Sequence, residues 1–161
     1  MAGYGTDQGF TDWLAANGYT LAIDPNQLAV LRQKGSSYID ATYGARFVGH
    51  QAGGVAQERA WPRSCAHIRG IDITDDAIPF AVIEASYHAA RYAFINPDGL
   101  VVTGTASGQV KRKKVDVIEI EYQTASSDKL AQSITPLITS VDGLLAPYLR
   151  GAYEDAAIAV V

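Results

Sequence analysis

The sequence predicts a mainly α fold, a small helical bundle with a β-hairpin inserted late in the chain. Three observations predict it. Apolar residues recur at helical spacing in four stretches, each opening on a capping residue; one clear switch to period two falls near residues 115–122; and neither period holds between residues 46 and 75. A chain of 161 residues that is 48% hydrophobic and 19% charged suits one globular domain. At this size roughly 70% of the unfolded surface is buried on folding, enough for a core without a metal or a disulfide. We expect that domain over residues 1–150, with the hairpin near residues 100–123, and residues 151–161 as a C-terminal tail.

The first helix is expected from "TDQGFTDWLAANG", where Thr6 can cap, Phe10, Trp13 and Leu14 share a face, and Asn17-Gly18 supplies a left-handed stop. A longer helix follows. Asp24 caps it, Pro25 takes its first position, and Leu28, Leu31, Gly35, Tyr38, Ile39 and Thr42 fall on one stripe. Gly35 on that stripe has two readings, a close approach of another backbone or a plain break at "KGSS". Residues 46–75 make a loop too long for an ordinary connection. In "DDAIPFAVIEASYHAARYAF", Asp76 is the expected cap, Pro79 the third helical position, and Val82, Ala85, Ala89, Tyr92 and Ala93 the face. So alanine-rich a face lets helices approach closely, which places this helix at the centre against the Leu28 stripe.

Residues 108–123, "GQVKRKKVDVIEIEYQ", read as strand, with a partner expected in the turn-rich "NPDGLVVTGTASG" before it. The last helix, "TPLITSVDGLLAPYL", is expected to open with Thr135 as cap and Pro136 at its first position. Leu137, Val141, Leu144, Leu145 and Tyr148 form its face. The tail "RGAYEDAAIAVV" is rather apolar for a free end, so we expect it to dock on a partner.

Charge and motifs exclude several functions. Net charge is -4 and the isoelectric point near 5.2, so the surface as a whole is not built to hold nucleic acid. Cys65 is the single cysteine and cannot form an internal disulfide. No stretch approaches the ~18 apolar residues of a membrane span, and "MAGYGTDQGF" has no basic or apolar leader region, so we expect intracellular synthesis and no membrane. His50, His67 and His88 are scattered, and Cys65 with His67 is half a metal site at best. "GYGTDQG" follows no strand, and "GTASG" misplaces Ser107 for a nucleophile elbow. The expectation is no catalytic residue, no metal and no cofactor.

Two stretches remain. Lys111, Arg112, Lys113 and Lys114 form "KRKK", readable as a solvated face or as a contact with phosphates or an acidic partner; no aromatics interleave it as a stacking platform would. "RAWPRS" sets Trp61, one of two tryptophans, against Pro62 between Arg59 and Arg63. Trp61 reads first as a peg that pins the long loop to the core, and second as an interface anchor.

The order of these segments resembles a family of bacteriophage head-tail connector (adaptor) proteins, often labelled DnaT-like single-stranded-DNA-binding proteins. The likeness covers most of residues 4–150. Its sharpest parts are Tyr38, Ile39 and Asp40 leading to Tyr43, Gly44, Arg46, Phe47 and Gly49, then Trp61, Pro62 and Arg63, then Ile78-Pro79. The resemblance implies a connector-like bundle forming a homo-oligomeric ring, typically of twelve copies. That ring sits in the virion neck, between the portal protein and a stopper or tail-completion protein, after assembly in the host cytoplasm. Double-stranded DNA would pass through it without sequence-specific binding. Candidate interface residues are then Arg46, Arg59, Trp61, Arg63, Lys111, Arg112, Lys113, Lys114, Tyr148, Arg150 and Tyr153. The alternative takes the label literally, as a replication protein for single strands.

Overall fold

The computed structural model, which describes residues 2–100, 112–115, 118–121 and 138–151, is built around two packed helices. These are α2 (Pro25–Tyr43) and α3 (Phe80–Ile95), with α1 (Asp7–Ala16) laid across one end and α4 (Thr139–Leu145) on the other. The fold is mainly α, as predicted, with small antiparallel hairpins of which the sequence predicted one.

Local signals place the first two helices. Thr6 caps α1 by accepting from the Gly9 amide at 2.9 Å, and Gly18 beyond the last turn is left-handed at φ 72°. Asp24 caps α2, accepting from the Asn26 amide at 2.8 Å, with Pro25 in the first turn. The helix does not break at "KGSS". Instead a Cβ on Gly35 would lie 2.2 Å from the Ser86 carbonyl oxygen and 2.7 Å from the Ala90 nitrogen, so α3 passes against bare backbone.

Gly35 marks the crossing of an antiparallel pair. On one side of it Tyr38, Ile39 and Tyr43 share a core with Val82, Ala85, Ala89, Val141 and Leu145. On the other, Leu31 joins Phe10, Trp13, Leu14, Tyr87, Ala90 and Ala93. The alanine-rich face of α3 is thus central, as expected, although Tyr92 is only half-buried and Ser86 and Tyr87 take its place.

Four expectations need correction. Asp76 does not cap α3: Pro79 is the residue before the helix, at φ -57° and ψ 139°. A proline disfavours helical geometry in its predecessor, here Ile78, and the helix accordingly starts after Pro79. Likewise α4 starts at Thr139 after an extended Ile138, at ψ 103°, so it does not begin at Pro136; Thr135, Pro136 and Leu137 lie outside the described residues. The long loop is not without regular structure. It holds two short antiparallel hairpins, β1 (His50–Gln51) with β2 (Arg63–Ser64) and β3 (Ala66–Ile68) with β4 (Ile71–Ile73). Such two- and three-residue strands are too brief to leave a periodic signal. Finally, the stretch read as one strand over residues 108–123 holds two, β5 (Arg112–Val115) antiparallel to β6 (Ile118–Glu121).

Two outcomes are expected from this packing. Gly35→Ala should cost about 1–3 kcal/mol of stability by denaturant titration, because overpacking against backbone outweighs the better helix propensity of alanine. The second concerns His88 on α3, whose Nδ1 lies 3.3 Å from the Ser140 hydroxyl of α4 and whose ring meets Trp13 of α1 edge-on at 4.7 Å. Burial holds its pKa below the ordinary histidine value, with Glu84 pulling it up and Arg91 pushing it down. The unfolded chain therefore takes up this proton at higher pH than the folded one. Stability from this site is complete above the ordinary value, about 6.5, and is lost as pH falls from there toward the depressed folded value. Melting curves at pH 7.5 and 5.5 should show a drop in Tm that is smaller in His88→Gln.

Candidate functional site

Tyr4, Asp40 and the "RAWPRS" loop converge on one polar knot within the core. Asp40 stands near the end of α2, and its Oδ1 accepts the Tyr4 hydroxyl in a short hydrogen bond and the Ala60 amide at 3.3 Å. Its Oδ2 accepts Arg59 Nη1 at 3.0 Å. The same Tyr4 oxygen accepts the Trp61 amide at 3.2 Å. Both carboxylate oxygens therefore accept hydrogen bonds from within the chain. Burial and the Asp40 charge push the Tyr4 hydroxyl well above the ordinary phenol range, so it remains a donor at any physiological pH.

Arg59 completes the knot from the loop side. Its Nε donates to the Ala2 carbonyl at 3.1 Å, and its guanidinium lies 5.7 Å from the centre of the Tyr4 ring. Arg32 of α2 does the same work further along. It pairs with Asp7 at 2.7 Å and donates to the carbonyls of Gly3, Tyr4 and Gly5 at 2.8 to 3.2 Å. Residues 2–5 are thereby strapped across α2, and Gly5, at φ 68°, has room for no side chain beside the Tyr87 hydroxyl. "GYG", whose glycine spacing is wrong for a phosphate loop, belongs to this strap, with Tyr4 buried at its centre. Neither Tyr4 nor Arg32 stands out in the sequence; the only hint is arginine at a helix position three residues before Gly35, on the apolar side.

Trp61 is a peg. It is 1% exposed and packs edge-on against Phe47 at 5.6 Å and Tyr148 at 6.3 Å. Among the described residues its buried Nε1 has no hydrogen-bond partner, and the ring's contacts are with aromatic neighbours. Arg63, also buried, donates to four backbone carbonyls, those of Val48, Phe47, Gly49 and Ala60, at 2.7 to 3.3 Å. Burial and nearby Arg150 lower its pKa, yet the cage of carbonyl dipoles keeps it charged. Trp61 and Arg63 are thus engaged within the chain, as the first reading of Trp61 has it.

The remaining candidates divide. The segment after α4 returns to the loop through a Phe47–Leu149 bridge, with the Arg150 amide donating to the Arg46 carbonyl at 2.7 Å. Arg46 and Arg150 are exposed, Tyr148 half-buried. Asp40, His50, Glu58, Arg63 and Arg150 line an open depression of roughly 500 Å³ at this junction. Arg112, Lys113 and Lys114 lie on β5, whereas Lys111 and Tyr153 lie outside the described residues. Among the described residues, no three His, Cys, Asp or Glu side chains are grouped to hold a metal, and no helix is long and apolar enough to cross a membrane.

Such an arrangement defines a small helical protein whose buried polar groups are spent on holding a long loop. The profile of the family described as "Putative DnaT-like ssDNA binding protein" matches residues 3–161, nearly the whole chain, and the protein belongs to that family. No curated protein and no solved structure is similar enough to this chain to count as a match.

Truncation within the knot should be costly. Tyr4→Phe leaves the Trp61 amide without its partner and should cost about 1–3 kcal/mol in chemical denaturation. Trp61→Ala should cost about 3–5 kcal/mol and yield unfolded or aggregated protein, with Trp61→Phe intermediate. A Trp61→Ala variant with the parental Tm would show that the ring is not a core element.

Proposed function

We propose that this protein is a structural subunit of a phage neck, a head-tail connector that forms a ring of about twelve copies between portal and tail-completion proteins, with the genome passing through. The resemblance set out above supports the reading, and the exposure of the groups that grip nucleic acid carries it. Single-strand binders stack bases on exposed aromatic rings over a basic groove. Among the described residues Phe80, at 69%, is the one aromatic side chain that is exposed. Four arginines are committed within the chain, Arg32 and Arg59 to carboxylates, Arg63 to carbonyls and Arg91 over the Tyr19 ring at 3.8 Å, while Lys34, Arg46, Arg69 and Arg150 are exposed. An acidic chain of this kind lining a channel lets phosphate slide rather than holding it.

The family's description names single-stranded DNA, and that reading is the one the experiment must separate. Fluorescence anisotropy with a labelled oligonucleotide at physiological salt should give weak binding that steepens sharply only as salt is lowered. Electron microscopy with isolated portal rings should show the protein added as a ring of matching symmetry. Tight oligonucleotide binding at physiological salt, together with no addition to portals, would replace the connector by a single-strand-binding protein.

A further inference from the structure

Arg63 and Arg150 donate to the same acceptor, the Gly49 carbonyl oxygen, each through Nη2, at 2.8 and 3.0 Å. Two guanidinium groups are therefore neighbours at the seam where the segment after α4 meets the loop. Among the described residues neither is paired with a carboxylate, whereas Arg32 and Arg59 each have one. Asp40 and Glu58 line the same depression, but Asp40 is spent on Tyr4, Arg59 and Ala60, and Glu58 is exposed and in no ion pair among the described residues. Like charges this close repel, and an arginine does not escape the repulsion by giving up its proton. What relieves such a pair is an anion beside both.

The two arginines differ in what they have left to offer. Arg63 is 5% exposed and spends four hydrogen bonds on carbonyls, so it is a fixed positive charge with its direction already set. Arg150 is exposed, and of the five N–H donors of a guanidinium it uses one, on Gly49. Both line the open depression of roughly 500 Å³, as does the exposed His50 of β1. We infer that this depression is an oxyanion-binding site, in which Arg150 grips a single phosphate or carboxylate group and the buried charge of Arg63 strengthens the hold. Phosphate and carboxylate present a guanidinium with the same chemistry, oxygens spaced for parallel N–H donors. A lone oxyanion fits better than a polyanionic chain, because Glu58 stands at the same depression and the protein as a whole carries a charge of -4. The site goes beyond the connector reading and does not depend on it.

The test is a titration of the isotope-labelled full chain with inorganic phosphate at constant ionic strength, against a chloride control, read from backbone amide resonances. The amides of Gly49, Arg63 and Arg150 should shift saturably at about millimolar phosphate, and Tm should rise above that in chloride. Arg150→Gln should weaken this response at least tenfold, and Arg150→Lys, a point charge without the planar fork, should fall between. Lys34→Gln, which removes an exposed cation from α2, should leave it unchanged. The wild-type resonances locate the site by themselves, so the result stands even if a variant folds poorly. A parallel titration with acetate separates the sources: a stronger response to acetate assigns the site to carboxylates, a stronger response to phosphate assigns it to phosphates, and either supports it. Shifts that grow without saturating, that spread over all the exposed cations, or that persist in folded Arg150→Gln would overturn the inference. An oligonucleotide that moves these resonances at physiological salt when neither ion does would overturn it too, and would assign the arginines to a nucleic-acid backbone.

Discussion

Asp40 is the group on which the rest of the structure depends. One carboxylate, near the end of α2, receives the Tyr4 hydroxyl, the Arg59 guanidinium and the Ala60 amide, and so joins three parts of the chain that have no local reason to meet. Taking these groups out of water is tolerable only because each finds a partner; removal of the shared one would leave a buried cation and a buried hydroxyl at once. The strap over residues 2–5, the course of the loop and the seating of Trp61 all follow from this one acceptor.

The loop itself illustrates how a long irregular segment can be made part of a core. Its backbone carbonyls at residues 47–49 would be unsatisfied polar groups beside Phe47 and Trp61, and Arg63 turns inward to meet them. A planar guanidinium with five donors suits this role, and lysine, a point charge with three, could not span the same carbonyls. Pairing of residues 47 and 149 then brings the segment after α4 onto the same loop. Arg46 and Arg150 are left exposed at the seam, beside the open depression, whereas Trp61 and Arg63 are spent inside.

That division bears on what family membership means for this chain. Tyr38, Asp40, Tyr43, Phe47, Gly49, Trp61 and Arg63, all within the stretch that the family profile matches, build the knot and the core around it. They specify how the chain packs. Partner contacts have to be sought on the surface and on the late hairpin, where the charges rather than the apolar groups carry the pattern.

The sequence by itself determined the elements whose causes are local, the Thr6 and Asp24 caps and the glycine stop after α1, and it narrowed Gly35 and Trp61 to two readings each, of which the structure shows the close approach and the peg. Each depends on residues within a turn or two of one another, or on a size and polarity that any core would reward. Only the tertiary structure decided where the long side chains go. Arg32, Arg59 and Arg63 are indistinguishable from surface arginines in the sequence, because their partners lie 14 to 57 residues away or are backbone carbonyls that have no sequence signature. The pairing of β5 with β6 was hidden for a similar reason, because a register that sets Arg112 opposite Glu121 has no signature in the pattern of either strand alone.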